Sequence, residues 1–211
     1  MHITTSALGI ELAHATLRAA ALFLGADDLS PRRSVAPNKV VGNGLRELDR
    51  FLSILIDEVA VQASRDAATL DRLRSRRNTA NKLRMLQAML GRRHHPDHRR
   101  LRALGRSRDC LFYCDGRVRR ADVRSGQMMT AGWPSHAAAD AGDLMTTPLG
   151  GRLAVRRGDI DDVCRFYARV ADELLAVAGA LRADRPRHRA PVVFRRQTAH
   201  IGLANVACDG F

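Results

Sequence analysis

The sequence predicts an all-α protein. Apolar residues recur at three-four spacing through most of the 211 residues. Glycine and proline punctuate those runs, and strand-like stretches are few and short. With 45% apolar residues, the chain is long enough for one hydrophobic core and a tail.

The elements follow in order. Ala7, Leu8, Leu12, Ala15, Ala19, Leu22 and Phe23 recur at helical spacing, predicting a first helix near residues 5–25 that ends at Gly25. Residues 30–44 hold Pro31, Pro37, Gly42 and Gly44 and read as a loop. Leu45, Leu48, Leu52, Leu55, Val59 and Ala63 then line the clearest amphipathic helix, with Arg46, Glu47, Asp49, Arg50, Asp57 and Glu58 largely off the stripe. Leu70, Leu73, Ala80, Leu83, Leu86 and Leu90 carry helix up to Gly91, and the pattern leaves open whether it is continuous through residues 76–79. Pro96 and Asp97 suit the start of another helix, with Leu101 and Leu104 along it.

The next segment fits two structures. By local rules residues 111–123 make a short β-hairpin turning at Asp115-Gly116; alternatively the helix continues through about Tyr113 and stops near Gly116. Residues 125–151, rich in Gly, Ala and Pro and holding the lone Trp133, read as a long surface insertion. Residues 152–155 suit a short strand facing the segment near Val118. Asp159 as N-cap, with Asp162 in the first turn, opens a last long helix through Ile160, Val163, Phe166, Tyr167, Val170, Leu174, Val177 and Leu181. The organisation expected is an N-terminal helix and loop (1–44), a helical domain (45–182) and a basic C-terminal arm (183–211).

Charge narrows the function classes. Thirty-five basic and 22 acidic residues give a net charge of +13, which suits a polyanionic partner. Nearly all of it is arginine, as a GC-rich genome would favour, but that bias does not explain where the charge sits. Residues 92–124 hold eleven Arg against four Asp, including Arg92, Arg93, Arg99, Arg100, Arg102, Arg106, Arg117, Arg119 and Arg120. Guanidinium forks bind phosphate oxygens bidentately and stack on bases, so these nine are the candidate nucleic-acid contacts. Aromatics are only 4% of the chain, which argues against an RNA-recognition sheet built on exposed rings.

Other chemistries find little support. Phosphate-binding glycine loops, nucleophile elbows and zincin patterns are absent from the sequence. Cys110, Cys114, Cys164 and Cys208 make no disulfide framework in a chain this long, and buried thiols are the expected reading. His94, His95 and His98 lack a carboxylate or Cys at a firm ligand spacing, so no metal and no cofactor are expected. The apolar run from Ala19 to Leu24 is too short to span a bilayer, and a cytoplasmic protein without a membrane is expected.

The most specific stretch is Arg108-Asp109-Cys110-Leu111-Phe112-Tyr113-Cys114-Asp115-Gly116-Arg117-Val118. It resembles the signature of HEPN domains, small all-helical modules found in many prokaryotic ribonuclease toxins. There an Arg, usually followed by Asn, precedes a His by a few residues, with apolar residues between. The resemblance implies a helical bundle over roughly residues 45–182 and a motif helix followed by a short segment and a final long helix. It also implies a twofold dimer with the motif copies facing each other. In the family the His serves metal-independent cleavage by the ribose 2′-hydroxyl, and the Arg stabilises charge on the scissile phosphate. Carried over, Arg108 keeps the phosphate role and Asp109, in place of Asn, orients it. Tyr113 stands where His belongs.

A phenol, with an ordinary pKa of about 10, is a weak general base at neutral pH. The expectation is therefore an RNA-binding, catalytically weakened or inactive relative of these endoribonucleases, with His98 as a candidate displaced base. Arg93 and His98 also fall within the family's spacing, although Pro96 lies between them. The alternatives are an active endoribonuclease of a toxin or defence system, a DNA-binding regulator, and a dimerisation or interaction module with a partner such as an antitoxin.

Overall fold

The computed structural model describes residues 3–26, 38–93, 95–135 and 143–184. Among them are six helices, α1 (Ile3–Ala26), α2 (Asn38–Ala63), α3 (Ala67–Arg74), α4 (Thr79–Met89), α5 (His98–Cys114) and α6 (Arg157–Ala183), and two antiparallel strands, β1 (Met128–Pro134) and β2 (Leu144–Pro148). The chain is thus mostly helical, with one small sheet between α5 and α6. No described helix is long and apolar enough to cross a membrane.

Helix α2 is the central element, touching α1, α3, α4, α5 and α6. Its expected stripe is its core face, with Leu45, Leu48, Leu52, Leu55 and Val59 all buried. Two of its glycines, which suggested a loop, are instead where neighbours come closest. A Cβ on Gly42 would lie 2.8 Å from the Phe112 backbone nitrogen, and one on Gly44 2.6 Å from a Leu24 methyl. Residues 38–44 are therefore helical, and the expected boundary at residue 44 falls inside α2. Residues 30–37 and 185–211 lie outside the described residues; of the expected arm (183–211) only Ala183 and Asp184 are described, as the end of α6.

Helix α1 has the expected span but the opposite face inward. Ile10, Ala13, Leu17 and Ala21 are buried, whereas Leu8, Leu12, Ala15, Ala19 and Leu22 are exposed. The side chains of Ala7 and Phe23 lie outside the described set. Helices α3 and α4 are separate, broken over residues 75–78. Asp66 caps α3 by accepting from the Ala68 and Thr69 amides, and Asn78 caps α4 by accepting from those of Ala80 and Asn81.

Helix α5 runs through the motif rather than turning into a hairpin there. Asp115 and Gly116 take left-handed φ values of 48° and 76°, and the Gly116 amide reaches back to the Cys110 carbonyl at 3.0 Å. The strand-like segments around Val118 and Leu153 do meet, through Val118 N–H to Gly151 O at 2.9 Å and Leu153 N–H to Gly116 O at 2.8 Å.

Residues 125–151 are not a surface insertion throughout. β1 is buried along most of its length, and Trp133 is 1% exposed in the core. A Cβ on Gly132 would overlap the Leu104 side chain at 2.3 Å, so the strand lies directly on α5. The last helix starts one turn earlier than the N-cap reading of Asp159 implies. Asp159 sits inside the first turn and accepts the Arg156 amide at 2.8 Å.

Candidate nucleic-acid interface

The site is built around α5, whose three faces do different things. Leu101, Leu104 and Leu111 enter the core, and the Ser107 hydroxyl accepts the Gly132 amide at 3.2 Å. A second face supplies Arg100 and Arg108 to neighbouring carboxylates. The third carries Arg99, Arg102, Arg106, Asp109 and Tyr113 at three-four spacing, a strip of roughly 21 Å at 1.5 Å per residue.

Arg108 is tied down. Its Nη1 lies 2.5 Å from Asp49 Oδ2 on α2, and its Nε and Nη2 each lie 2.9 Å from Asp109 Oδ1. Burial pulls this guanidinium down, and the two carboxylates more than offset that, so it is held above the ordinary arginine value. Asp49 is itself mostly buried. Desolvation outweighs the Arg108 charge, and its carboxyl is raised above the usual range. The Tyr167 hydroxyl on α6 is fully buried, and it is pushed well up, chiefly by burial and then by the Asp49 carboxylate. Thr79 at the start of α4 also packs on Asp49. Arg108 thus joins a polar node at which α2, α4, α5 and α6 converge.

Tyr113 is on the outside, 70% exposed, with its ring edge-on to Phe112 at 4.9 Å between centroids. Phe112 is braced from beyond by the Arg46 guanidinium at 5.5 Å. Tyr113 lines a cleft of about 690 Å³ with Arg106, Asp109, Cys110, Arg119 and Arg120. Arg119 and Arg120 are exposed and form no ion pair among the described residues. The Cys110 thiol at the cleft floor is pushed up to about 11 by burial and by Cys114 beside it.

The predicted arginines divide. Arg106 continues the Tyr113 cleft into a smaller one with His98, Arg99 and Arg102. It also pairs with Asp122 at 2.9 Å, and burial lowers its guanidinium despite that partner. Arg92 and Arg93 line a separate cleft with Arg76 and Arg84. Arg117 is exposed, and its backbone bridges Arg152.

Arg100 has an internal role: it donates to the Gly132 carbonyl at 3.0 Å, pairs with Asp162 and covers the Phe166 ring at 4.4 Å. It is therefore withdrawn from the set of surface contacts. His98 lies ten residues before Arg108 on one helix, roughly 15 Å of rise, so within one copy it does not reach Arg108.

The histidine segment also has partners that spacing did not suggest. His95 Nε2 is 2.8 Å from Glu173, and Asp97 lies on its other side at 3.3 Å. The Arg169 guanidinium bridges both carboxylates, at 2.8 Å to Asp97 and 2.6 Å to Glu173, and supplies the positive charge there. His94 lies outside the described residues.

Sequence reasoning missed Asp49, Thr79 and Tyr167. Asp49 is one helical turn past Leu45, at the edge of the α2 stripe. That edge position is the only local signal that it meets another helix. Comparison with family models, curated proteins and solved structures returned no match.

Proposed function

We propose that the protein binds single-stranded RNA along the outer face of α5, within a HEPN-like framework, as a catalytically weakened relative of metal-independent endoribonucleases. One observation carries this reading: an exposed tyrosine and two arginines that form no ion pair among the described residues share one cleft at the motif end of the helix. Arg119 and Arg120 offer phosphate-binding forks beside a ring available for base stacking, and Arg99, Arg102 and Arg106 extend positive charge along the strip.

The weakened chemistry rests on position. Tyr113 occupies the family's base position as an exposed phenol, and the Arg108 guanidinium is already engaged by Asp49 and Asp109. Little remains at that point to take a proton or to meet developing phosphate charge.

The test is a binding and cleavage assay with end-labelled single-stranded RNA in EDTA, beside duplex DNA of the same sequence. Tyr113→Ala should weaken RNA binding by about 1–3 kcal/mol if it stacks one base. Arg119→Ala with Arg120→Ala should lower the log–log salt slope by about 1.4, at roughly 0.7 per phosphate contact on a single strand. Binding that ignores all three substitutions, or that prefers duplex DNA, refutes the reading. Cleavage to 2′,3′-cyclic phosphate ends would show a working nuclease instead.

A further inference from the structure

Helix α1 carries two apolar stripes, and the described residues cover only one of them. Ile10, Ala13, Leu17 and Ala21 are buried in the bundle, where α1 meets α2 and α6. Leu8, Leu12 and Leu22 are 67%, 65% and 70% exposed, and Ala15 and Ala19 between them are exposed as well. Positions 8, 12, 15, 19 and 22 alternate steps of four and three, the repeat of a two-helix coiled-coil seam. A contiguous apolar line of this kind differs from isolated surface leucines, which need no explanation.

We propose that this seam is a self-association surface, on which α1 packs antiparallel against α1 of a second copy. Size complementarity is the first ground. When Leu12 faces Ala15 of the second copy, Leu8 faces Ala19, and the twofold repeats both contacts in reverse. Leu8 and Leu12 of each copy then meet alanines, which lets the helices approach closely along that stretch.

Charge is the second ground. Glu11 and Arg18 flank the same side of the seam, while Gly9 and Thr16 on the other flank carry no charge. Residues of one flank face each other only across an antiparallel pair. The same register sets Glu11 of each copy beside Arg18 of the other, whereas a parallel pair would set them against the uncharged flank. Both side chains are exposed and now held in surface pairs, Glu11 with Arg182 at 3.6 Å and Arg18 with Asp172 at 2.9 Å. Pairs of that kind contribute little, so they are free to extend into a network with the second copy. This surface is independent of the RNA reading and uses none of its residues.

The test is sedimentation equilibrium of the full chain from low to several hundred micromolar, with circular dichroism as a check on folding. Wild type should show a reversible monomer–dimer equilibrium. Leu12→Glu, at an exposed position, should stay folded and raise the dissociation constant by at least about a hundredfold, since two charges would enter one seam. Glu11→Arg and Arg18→Glu should each weaken self-association, and an equimolar mixture of the two should recover it as a heterodimer. A wild type that stays monomeric overturns the proposal and leaves the seam to another part of the chain or another protein. A dimer indifferent to Leu12→Glu overturns the surface, and a mixture no stronger than either variant alone overturns the antiparallel arrangement.

Discussion

Removing Arg108 should damage the protein chiefly through Asp49. The pair is short, 2.5 Å, and largely shielded, with side-chain exposures of 25% for Arg108 and 11% for Asp49. Taking away one partner of a fully buried ion pair costs about 3–5 kcal/mol because the other charge is left uncompensated. A guanidinium that is a quarter exposed lowers that expectation to about 2–4 kcal/mol for Arg108→Ala at neutral pH.

The loss should depend on pH with a definite sign. The Asp49 carboxyl is already raised in the folded protein, mainly by burial, and losing its cation raises it further. A raised folded value means that the native state holds a proton the unfolded chain releases. That contribution is present below the unfolded value, near 4, and is lost as pH rises through the folded one. Arg108→Ala should therefore be most destabilising near pH 7.5 and progressively less so toward pH 4.

Urea denaturation followed by circular dichroism at both ends of that range is the assay. Asp49→Asn should absorb much of the effect, so that the double variant costs clearly less than the sum of the singles. A loss below about 0.5 kcal/mol at pH 7.5, within the range of ordinary surface substitutions, would refute the node. A loss that grows on acidification would refute the assignment to Asp49.

Tyr167→Phe keeps the ring and removes the hydroxyl at Asp49, and should lower unfolding free energy by about 1 kcal/mol in the same denaturation series. Gly42→Ala should cost about 1–3 kcal/mol, because the new Cβ meets Phe112 backbone that cannot swing away; a shift in thermal midpoint checks it. The indole N–H of Trp133 is buried with no hydrogen-bond partner among the described residues, so Trp133→Phe should be much milder than Trp133→Ala, whose cavity costs about 3–5 kcal/mol. Cys164, buried and pushed up to about 11 chiefly by burial, should react with a disulfide reagent at pH 8 only as fast as the protein opens, which stopped-flow absorbance with and without denaturant will separate.

Helix positions were largely legible from periodicity, and helix faces were less so. Both stripes of α1 are apolar and both fit a helix; the choice between Ile10-Ala13-Leu17-Ala21 and Leu8-Leu12-Ala15-Ala19-Leu22 belongs to α2 and α6, which the local pattern does not contain. Gly42 and Gly44 suggested chain breaks because glycine does so in isolation, while here it permits close helix contact. Gly116 signalled the end of α5 correctly, since a left-handed stop is a local requirement. β1 was hidden because its small, mixed composition resembles a loop, and its packing on α5 and α6 makes it core. The candidate site was legible as a basic block with one motif. The separation of Arg100 and Arg108 from Arg119 and Arg120 required Asp162 and Asp49, which lie outside that block in the sequence.

Asp122 holds more than Arg106. Asp122 also accepts the Thr130 amide at 3.0 Å and the Thr130 hydroxyl, so one carboxylate fastens the β1 strand to a guanidinium on the α5 strip. An anion that draws Arg106 outward leaves Asp122 with a strand as its remaining partner. The amide of Thr130 therefore works as a gauge, its hydrogen-exchange rate recording from inside the sheet whether the arginine outside has changed hands.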